Sequence, residues 1–314
     1  MNISVVVPVY NSSRTLTELT AALHPVLDEL AYEYELILVN DCSRDNSAEV
    51  MKQLAAKYSW VHPVNLARNF GQHNALLCGI RAAKYELVAT LDDDLQNPPE
   101  ELKHVVAKLQ EGYDVVYGVP AAMQHGFLRN MASQVTKKVL QGAMGADNAS
   151  KISAYRVFRT HLREAFKDYR SPYVNIDGLL TWGTNRFSWV LIDHRERQVG
   201  VSNYTLAKLI NHAMNMITGF TTLPLRLATM YGFACIIFGI CVLTWVIGRY
   251  LFFGDCVEGF PFLASITVIF AGAQLFSLGI IGEYMARMYT RSTEQPPYVV
   301  LTQVEETARQ VATR

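Results

Sequence analysis

Three consecutive carboxylates, Asp92, Asp93 and Asp94, are the side chains of this sequence best suited to chemistry. They follow an apolar run, residues 87–91, which predicts a buried strand. Because side chains alternate along an extended chain, Asp92 and Asp94 should point to one side and Asp93 to the other. Two carboxylates on one side suit Mg²⁺ or Mn²⁺ that is also bound by substrate phosphates. Acidic clusters at strand ends can also be solvated loops, but like charges this close repel, and a cation would relieve the repulsion.

The segment after the acids predicts a helix that packs on a sheet. Asn97 is a suitable N-cap, and Pro98 occupies a position where a missing N–H is tolerated. Apolar residues then recur at helical spacing, at Leu102, Val105, Val106 and Leu109. The carboxylates are therefore expected at the carboxyl end of a strand, which is where open α/β sheets bind ligands.

The first 204 residues alternate between predicted strands and predicted helices. Apolar, β-branched runs occur at residues 3–9, 36–39, 61–65, 87–91 and 115–117. Such alternation predicts a Rossmann-like α/β domain with a mostly parallel sheet covered on both faces. Two loops at strand ends are polar, Asn40-Asp41-Cys42-Ser43 and the segment from Arg68 to His73.

Composition limits the classes of function. The chain has 314 residues, half of them hydrophobic, and a formal net charge of zero, which argues against nucleic acid as the main partner. The five cysteines lack metal-type spacing, so we interpret them as small apolar packing residues. The N-terminus enters a strand directly, without the pattern of a signal peptide, and this predicts a cytosolic N-terminal domain.

The strongest apolar runs lie near the C-terminus. Residues 227–247 and 260–282 contain no charged side chain, and each run exceeds the roughly 20 residues that span a bilayer. They predict a transmembrane hairpin within residues 225–284; the alternative is a pair of buried core helices. The tail, residues 285–314, has four arginines, whereas the intervening loop has one, so the positive-inside rule places the N-terminal domain and both termini in the cytoplasm.

Two further segments could contribute to a site at a membrane surface. Residues 205–224 contain an amphipathic pattern, which predicts a helix in the membrane interface or, alternatively, a core-packed helix. A short Gly-containing loop before it carries Arg195, Arg197 and Ser202, which could bind phosphate. Arg129 lies in a predicted basic helix, which alone is better interpreted as an ordinary solvated surface.

These parts together predict transfer of a sugar from a nucleotide sugar to a lipid phosphate. A divalent cation would bridge the donor diphosphate and neutralise the leaving group. A phosphate acceptor is already an anion near pH 7, so it needs positioning and charge compensation rather than a strong general base. This requirement agrees with a sequence that shows no Ser-His-Asp or Cys-His set.

Several motifs together resemble the family-2 glycosyltransferases of GT-A fold that act on polyprenyl phosphates. They are Val7-Pro8-Val9-Tyr10-Asn11, Asn40-Asp41-Cys42-Ser43-Arg44-Asp45, Arg68-Asn69-Phe70-Gly71-Gln72, Asp92-Asp93-Asp94-Leu95-Gln96-Asn97-Pro98-Pro99-Glu100 and Gly282-Glu283-Tyr284. The resemblance covers nearly the whole chain. It implies inverting transfer from a nucleotide sugar, expected to be UDP-linked, to undecaprenyl phosphate at the bacterial inner membrane, by a homo-oligomer, with a tetramer expected.

The resemblance also implies roles for individual residues. The metal and diphosphate would be surrounded by Asp92, Asp94 and Gln96. The nucleoside pocket and the donor diphosphate would be contacted by Pro8, Tyr10, Asp41, Asp93, Arg197 and Ser202. Arg129 would meet the acceptor phosphate and, with Asp92 and Asp94, belong to the catalytic set.

The sequence departs from the family pattern at Ser12, Val119 and Asn203, where the family has an acid or a cation. These departures leave open a non-catalytic, membrane-anchored scaffold that retains a nucleotide-binding fold. A processive polysaccharide synthase is a weaker alternative, because the sequence lacks the Gln-x-x-Arg-Trp motif of those enzymes and has only two predicted spans.

Overall fold

A computed structural model describes residues 1–120, 151–193, 223–253 and 259–301. The strands are β1 Asn2–Val9, β2 Glu33–Asn40, β3 Val61–Asn65, β4 Leu87–Thr90, β5 Val115–Pro120, β6 Arg156–Arg159 and β7 Phe187–Ile192. The α-helices are α1 Leu16–Leu30, α2 Ser47–Lys57, α3 Gln72–Ala82, α4 Leu102–Gln110, α5 Ile176–Leu180, α6 Leu223–Phe253 and α7 Phe260–Ser292; 3₁₀ helices span Pro99–Glu101 and Thr160–Phe166.

The strands of the described residues form one seven-stranded sheet in the order β3-β2-β1-β4-β6-β5-β7. All neighbouring strands are parallel except at β6, which is antiparallel to both β4 and β5. Thr90 pairs with Arg156, so the amino end of β6 lies at the same edge as the carboxyl end of β4. The predicted α/β architecture with a mostly parallel sheet is confirmed, and the strand ends of β1, β2 and β4 share one edge.

The central strands are buried because helices cover them. In β1 every residue from Ile3 to Val9 is buried, as expected for a central parallel strand. Helix α3 approaches this strand closely at Gly79, where a Cβ atom would lie 2.3 Å from Cγ1 of Val6. This close contact fixes the height of α3 over β1, and with it the position of the N-terminus of α3 at the strand-end edge.

The helix after the acidic triplet begins later than the sequence pattern predicts. We expected Asn97 to cap it, but Pro98 is extended and a 3₁₀ turn, Pro99–Glu101, precedes α4 at Leu102. The reason is the Pro-Pro pair, since a residue that precedes proline is disfavoured in the α conformation. The apolar stripe of α4 is buried as predicted, at Leu102, Val105, Val106 and Leu109.

The chain divides into two compact units, residues 1–213 with 294–314, and residues 214–293. The first unit contains the sheet, and the second contains α6 and α7. In the part of the chain that the structure describes, no helix meets the length and apolarity needed to cross a membrane. The interfacial helix predicted for residues 205–224 lies outside the described residues except at positions 223 and 224, which begin α6.

Candidate active site

The acidic triplet lies directly after β4 and is joined to the end of β1 through its middle carboxylate. Oδ2 of Asp93 accepts a hydrogen bond from the backbone N–H of Tyr10 at 3.3 Å and a short one from the hydroxyl of Ser12. Oγ of Ser12 also lies 3.2 Å from the carbonyl oxygen of Tyr10. Asp93 therefore fixes the loop after β1 against the loop after β4, and Ser12 supplies the donor at a position where the family has an acid.

The outer two carboxylates of the triplet have other partners. Oδ1 of Asp92 accepts from Nε2 of Gln72 at 2.7 Å, and Oδ1 of Asp94 accepts from the backbone N–H of Gln96 at 3.2 Å. Leu95, which lies between Asp94 and Gln96, has a φ of 58°, so the chain turns sharply just after the acids. The three carboxylates therefore have different partners: Asp93 binds the loop after β1, Asp92 binds α3, and Asp94 binds the turn that follows it.

Burial and the crowding of carboxylates raise the pKa of Asp92. Burial, together with the neighbouring charges of Asp94 and Asp93, raises the pKa of Asp92 to about 7, against the lowering effects of Arg156 and Gln72. A carboxyl group in such a setting gains from any cation that offsets the negative charge. This crowding is the electrostatic property expected of a site built to hold a divalent cation.

Beneath the triplet lies a buried arginine, Arg156, for which no role was predicted from the sequence. Arg156 begins β6 opposite Thr90 and forms an ion pair with Asp177 of α5. Its Nε donates to Oγ1 of Thr90 at 2.9 Å, and the hydroxyl of Tyr117 donates to Asp177 at 2.9 Å. The sequence signal for it was the family resemblance, whose Ser-Gly-Phe-Arg pattern is altered here to Ser153-Ala154-Tyr155-Arg156.

The second loop of the site is organised by Asp41, at the carboxyl end of β2. Its two carboxylate oxygens accept from the backbone N–H groups of Phe70, at 2.7 Å, and Gly71, at 2.8 Å, while Nδ2 of Asn69 donates to its carbonyl. Gly71 has a φ of 95°, a conformation in which a side chain would be strained. Burial raises the pKa of Asp41, although the two backbone hydrogen bonds lower it in part.

The loops after β1 and β2 are tied to each other by reciprocal hydrogen bonds. The backbone N–H of Asn11 donates to the hydroxyl of Ser43 at 3.0 Å, and Oδ1 of Asn11 accepts from the N–H of Arg44 at 2.8 Å. Asn11 has a φ of 56°, which asparagine tolerates better than most residues. Asp45 extends the junction by accepting from the N–H of Ser13.

The donor set suits a hard divalent cation that is shared with substrate. Within residues 1–120, 151–193, 223–253 and 259–301, no three His, Cys, Asp or Glu side chains are arranged as a self-sufficient metal site. A Mg²⁺ or Mn²⁺ that is bound through one or two carboxylates, with phosphates completing its shell, does not require three. Asp92 and Asp94 fit this second kind of site by their chemistry and by the burial and carboxylate crowding that raise the pKa of Asp92.

Of the remaining predicted site residues, three are described by the structure and three lie outside the described residues. Tyr10 is exposed at the end of β1, whereas Pro8 is buried within that strand. Gln96 is half-buried, two residues after Asp94. The predicted phosphate-binding residues lie outside the described residues; they are Arg129, Arg197 and Ser202.

Known proteins resemble this chain in sequence and in fold. The chain is similar to the undecaprenyl-phosphate 4-deoxy-4-formamido-L-arabinose transferase of Shewanella sediminis, with 36% identity over 301 residues, covering 95% of this chain and 91% of that protein. Its fold resembles that of glucosyl-3-phosphoglycerate synthase from Mycobacterium tuberculosis, solved with Mn²⁺, UDP and glucosyl-3-phosphoglycerate, with a TM-score of 0.51 and 19% identity over 69% of this chain and 77% of that one.

A second structure of the same mycobacterial enzyme, with Mn²⁺ and UDP-glucose, gives a TM-score of 0.51 at 20% identity, covering 69% of this chain and 77% of that one. At such low identity the likeness concerns the fold. The family model for glycosyl transferase family 2 matches residues 4–170, which include the acidic triplet, the Asp41 loop and Arg156. With more than half of its length matched, and a relative aligned over nearly all of it, the chain is a member of glycosyl transferase family 2.

Proposed function

We propose that this protein transfers a sugar from a nucleotide sugar, UDP-linked, to a polyprenyl phosphate at the cytoplasmic face of the bacterial inner membrane. The reaction inverts the anomeric centre and depends on Mg²⁺ or Mn²⁺. The similarity to an undecaprenyl-phosphate transferase over 95% of the chain supports undecaprenyl phosphate as the acceptor. The product would serve modification of a cell-envelope glycan, of the lipid A or O-antigen type.

The observation that carries the proposal is the junction of the acidic triplet with the two strand-end loops. Asp93 binds the loop after β1, while Asp92 binds Gln72 at the start of α3. Asp41 organises the residues just before Gln72. The crowded carboxylates are thereby held next to the loops expected to bind the nucleotide, as a diphosphate-bridging cation requires.

The proposed roles follow from this arrangement. Asp92 and Asp94, with Gln96 nearby, would hold the divalent ion, which supplies a Lewis acid that neutralises the leaving nucleoside diphosphate. Tyr10 and Pro8 would line the nucleoside pocket, and Asp41 would position the loop that closes it. Asp93 would keep the metal-binding segment in register with the loop after β1.

The acceptor requires little proton chemistry. A phosphate monoester is largely ionised near pH 7 and attacks as an anion once it is positioned. Cationic side chains must then offset the charges of two phosphate groups. Arg129 is proposed to meet the acceptor phosphate, and Arg197 and Ser202 to meet the donor diphosphate.

Placement of the protein in a membrane is part of the proposal. Its support is the pair of charge-free runs, residues 227–247 and 260–282, together with large apolar side chains exposed on α6 and α7, among them Met230, Phe233 and Leu275. Exposed apolar surface of this extent is expected to contact lipid or another protein. We propose a membrane hairpin with both termini cytoplasmic, an interfacial helix within residues 205–224, and a homo-oligomeric assembly.

The experiment is transfer to labelled undecaprenyl phosphate from a panel of UDP- and GDP-sugars, followed by mass measurement of the lipid product. We expect one donor to give a glycosylated lipid phosphate, and we expect Asp94→Ala to abolish the product while the protein stays folded. Asp168→Ala is the matched control, because Asp168 is an exposed acid outside the strand-end loops. Near-normal transfer by Asp94→Ala would refute the assignment.

A non-catalytic scaffold gives a different result in a simpler measurement. Calorimetric titration of the purified protein with UDP should show binding that strengthens when Mn²⁺ is present. A scaffold that merely retains the fold would show no metal-dependent binding of UDP. That outcome, together with the absence of any lipid product, would favour the scaffold over the enzyme.

A further inference from the structure

Residues 294–301, called the strap here, follow helix α7 and belong to the unit that contains the sheet. They contact the start of the loop after β3, residues 66–72. Leu66 and Val300 form an isolated antiparallel bridge, and the backbone N–H of Ala67 donates to the carbonyl of Val299 at 2.9 Å. Leu66 is itself tied to β2, because its N–H donates to the carbonyl of Asn40. The strap thus adds a short edge pairing just past the end of β3.

A buried asparagine in α3 anchors the strap from below. Nδ2 of Asn74 donates to the carbonyl of Pro297 at 2.5 Å and to the carbonyl of Pro172 at 3.0 Å. Asn74 is 5% exposed and Pro297 is also buried, so the amide and the carbonyl would lack water partners if they separated. An unpaired buried polar group is unfavourable, and the contact is therefore expected to persist.

Two further contacts hold the strap, one in its middle and one at its start. The guanidinium of Arg81, two turns along α3 from Asn74, lies over the ring of Tyr298, 5.8 Å from its centroid. Its Nη2 donates to the carbonyls of Lys167 and Tyr169. Glu294 forms an ion pair with Arg170 at 3.0 Å. The exposed ion pair contributes little, but the strap has independent contacts along most of its length.

The strap is attached to the loop that the site depends on. Ala67, which it binds, begins the run that leads to Phe70 and Gly71, whose N–H groups bind the carboxylate of Asp41. Gln72 follows at once and donates to Asp92. The loop is thereby held at its start by the strap and at its end by Asp41. Asn74 in turn links the strap to the N-terminal end of α3, which directly follows the loop.

We propose that the strap is a positioning element of the donor site: it holds residues 67–72 in the conformation that binds the nucleotide sugar. Asn74 is the positioning residue on which it depends. The kinetic consequence of this inference rests on the proposed function. The physical claim is that the strap immobilises the loop, and it is independent of the proposed function. The chain segment after α7 would then be part of the donor site rather than a passive tail.

The physical claim is tested by limited trypsin digestion of the full-length protein and three variants. Arg68 lies in the held loop, whereas Arg44 is exposed in the loop after β2 and serves as the internal control. The variants are Asn74→Asp, which replaces the two N–H donors by acceptors, a deletion of residues 294–314, and a control deletion of residues 302–314 that leaves the strap intact.

We expect Asn74→Asp and the longer deletion to speed cleavage after Arg68 by about tenfold, equivalent to about 1.4 kcal/mol. Cleavage after Arg44 should stay within about twofold, and the shorter deletion should behave like the full chain. Equal acceleration at both arginines would indicate general unfolding and would overturn the proposal. Unchanged cleavage after Arg68 would overturn it as well.

The kinetic consequence is measured separately. Asn74→Asp should raise the KM for the nucleotide sugar by about tenfold while kcat and the KM for undecaprenyl phosphate change by less than about twofold. A merely structural role would instead lower kcat through loss of folded enzyme. Faster cleavage after Arg68 with an unchanged KM would overturn the link to the donor site. Because the digestion needs no substrate, absence of transfer in every variant would count against the proposed function and not against the strap.

Discussion

Arg156 and Asp177 form an ion pair beneath the acidic triplet that is almost completely removed from solvent, with side chains 2% and 8% exposed. The pair is completed by the hydroxyl groups of Thr90 and Tyr117, so both charged groups have additional hydrogen bonds. A buried ion pair is sensitive to loss of one partner, because the remaining charge is then unpaired in a medium of low polarity. It also connects β6 and α5 to the floor of the site.

Arg156→Met should therefore destabilise the protein by about 3–5 kcal/mol, because it leaves the buried carboxylate of Asp177 without its charge partner. Arg159→Met is a matched control on the same strand: Arg159 pairs with Asp114 at 3.5 Å but is 40% exposed, and such pairs contribute about 0–1 kcal/mol. Urea unfolding of both variants measures the difference. Similar losses of stability in the two variants would contradict the assigned role of the buried pair.

Asp41→Asn should weaken nucleotide binding by loosening the loop that Asp41 organises. An amide can accept from only one of the two N–H groups of Phe70 and Gly71, and its NH₂ group would face the other donor. One unmatched buried donor corresponds to about 1–3 kcal/mol, so we expect a large rise in the Kd for UDP, measured by calorimetry. Asp168→Asn, an exposed substitution, should leave the Kd unchanged; equal affinity in D41N would show that the loop is held by other contacts.

The pKa of Asp45 predicts how the junction between the loops after β1 and β2 responds to acid. Burial raises the pKa of Asp45, but hydrogen bonds from Ser47 and Ser13 outweigh that effect and lower it to about 2. Because this pKa is below that of the unfolded chain, the stabilisation by Asp45 is present above about pH 4 and is lost as the pH falls toward about 2.

The test is urea unfolding of the wild type and Asp45→Asn at neutral pH and near pH 3. The wild type should be the more stable protein at neutral pH, and the difference should shrink at the lower pH, where Asp45 becomes partly protonated. All other carboxyl groups are common to both proteins and cancel in the comparison. A difference that stays constant across this range would mean that the ionised carboxylate of Asp45 is not what stabilises the loops.

The sequence predicted the family and the α/β fold, and both are confirmed. It did not predict that β6 enters the sheet antiparallel between β4 and β5. This strand has only four residues and is charged at both ends, at Arg156 and Arg159, so it lacks the apolar run that marks the other strands. Its partners in the sheet are also distant in sequence, and local patterns carry no information about such pairing.

The acidic triplet was predicted because adjacent carboxylates after an apolar run are a local pattern. The partners that hold them were not predictable in the same way. Asp93 binds Tyr10 and Ser12, about 80 residues earlier in the chain, and only the parallel register of β1 and β4 brings these residues together. The strap contact between Asn74 and Pro297 spans 223 residues and has no sequence signature.

The different partners of the three aspartates predict unequal effects of replacing each by asparagine. Both hydrogen bonds to Asp93 are accepted by the single atom Oδ2, and the amide oxygen of an asparagine can accept the same two bonds. Asp93→Asn should therefore keep the loop after β1 in place and retain Mn²⁺ binding in the presence of UDP. Asp92→Asn and Asp94→Asn each remove a negative charge proposed to contact the metal directly.

Calorimetry with Mn²⁺ and UDP separates these cases. We expect Asp92→Asn and Asp94→Asn to weaken Mn²⁺ binding by about 100-fold or more, and Asp93→Asn by less than about tenfold, a separation of at least about 1.4 kcal/mol. Thermal unfolding of the three variants checks that each remains folded. If Asp93→Asn proved the most damaging of the three, the metal would be held by Asp93, and the alternation of side chains inferred from the extended segment would be wrong for this site.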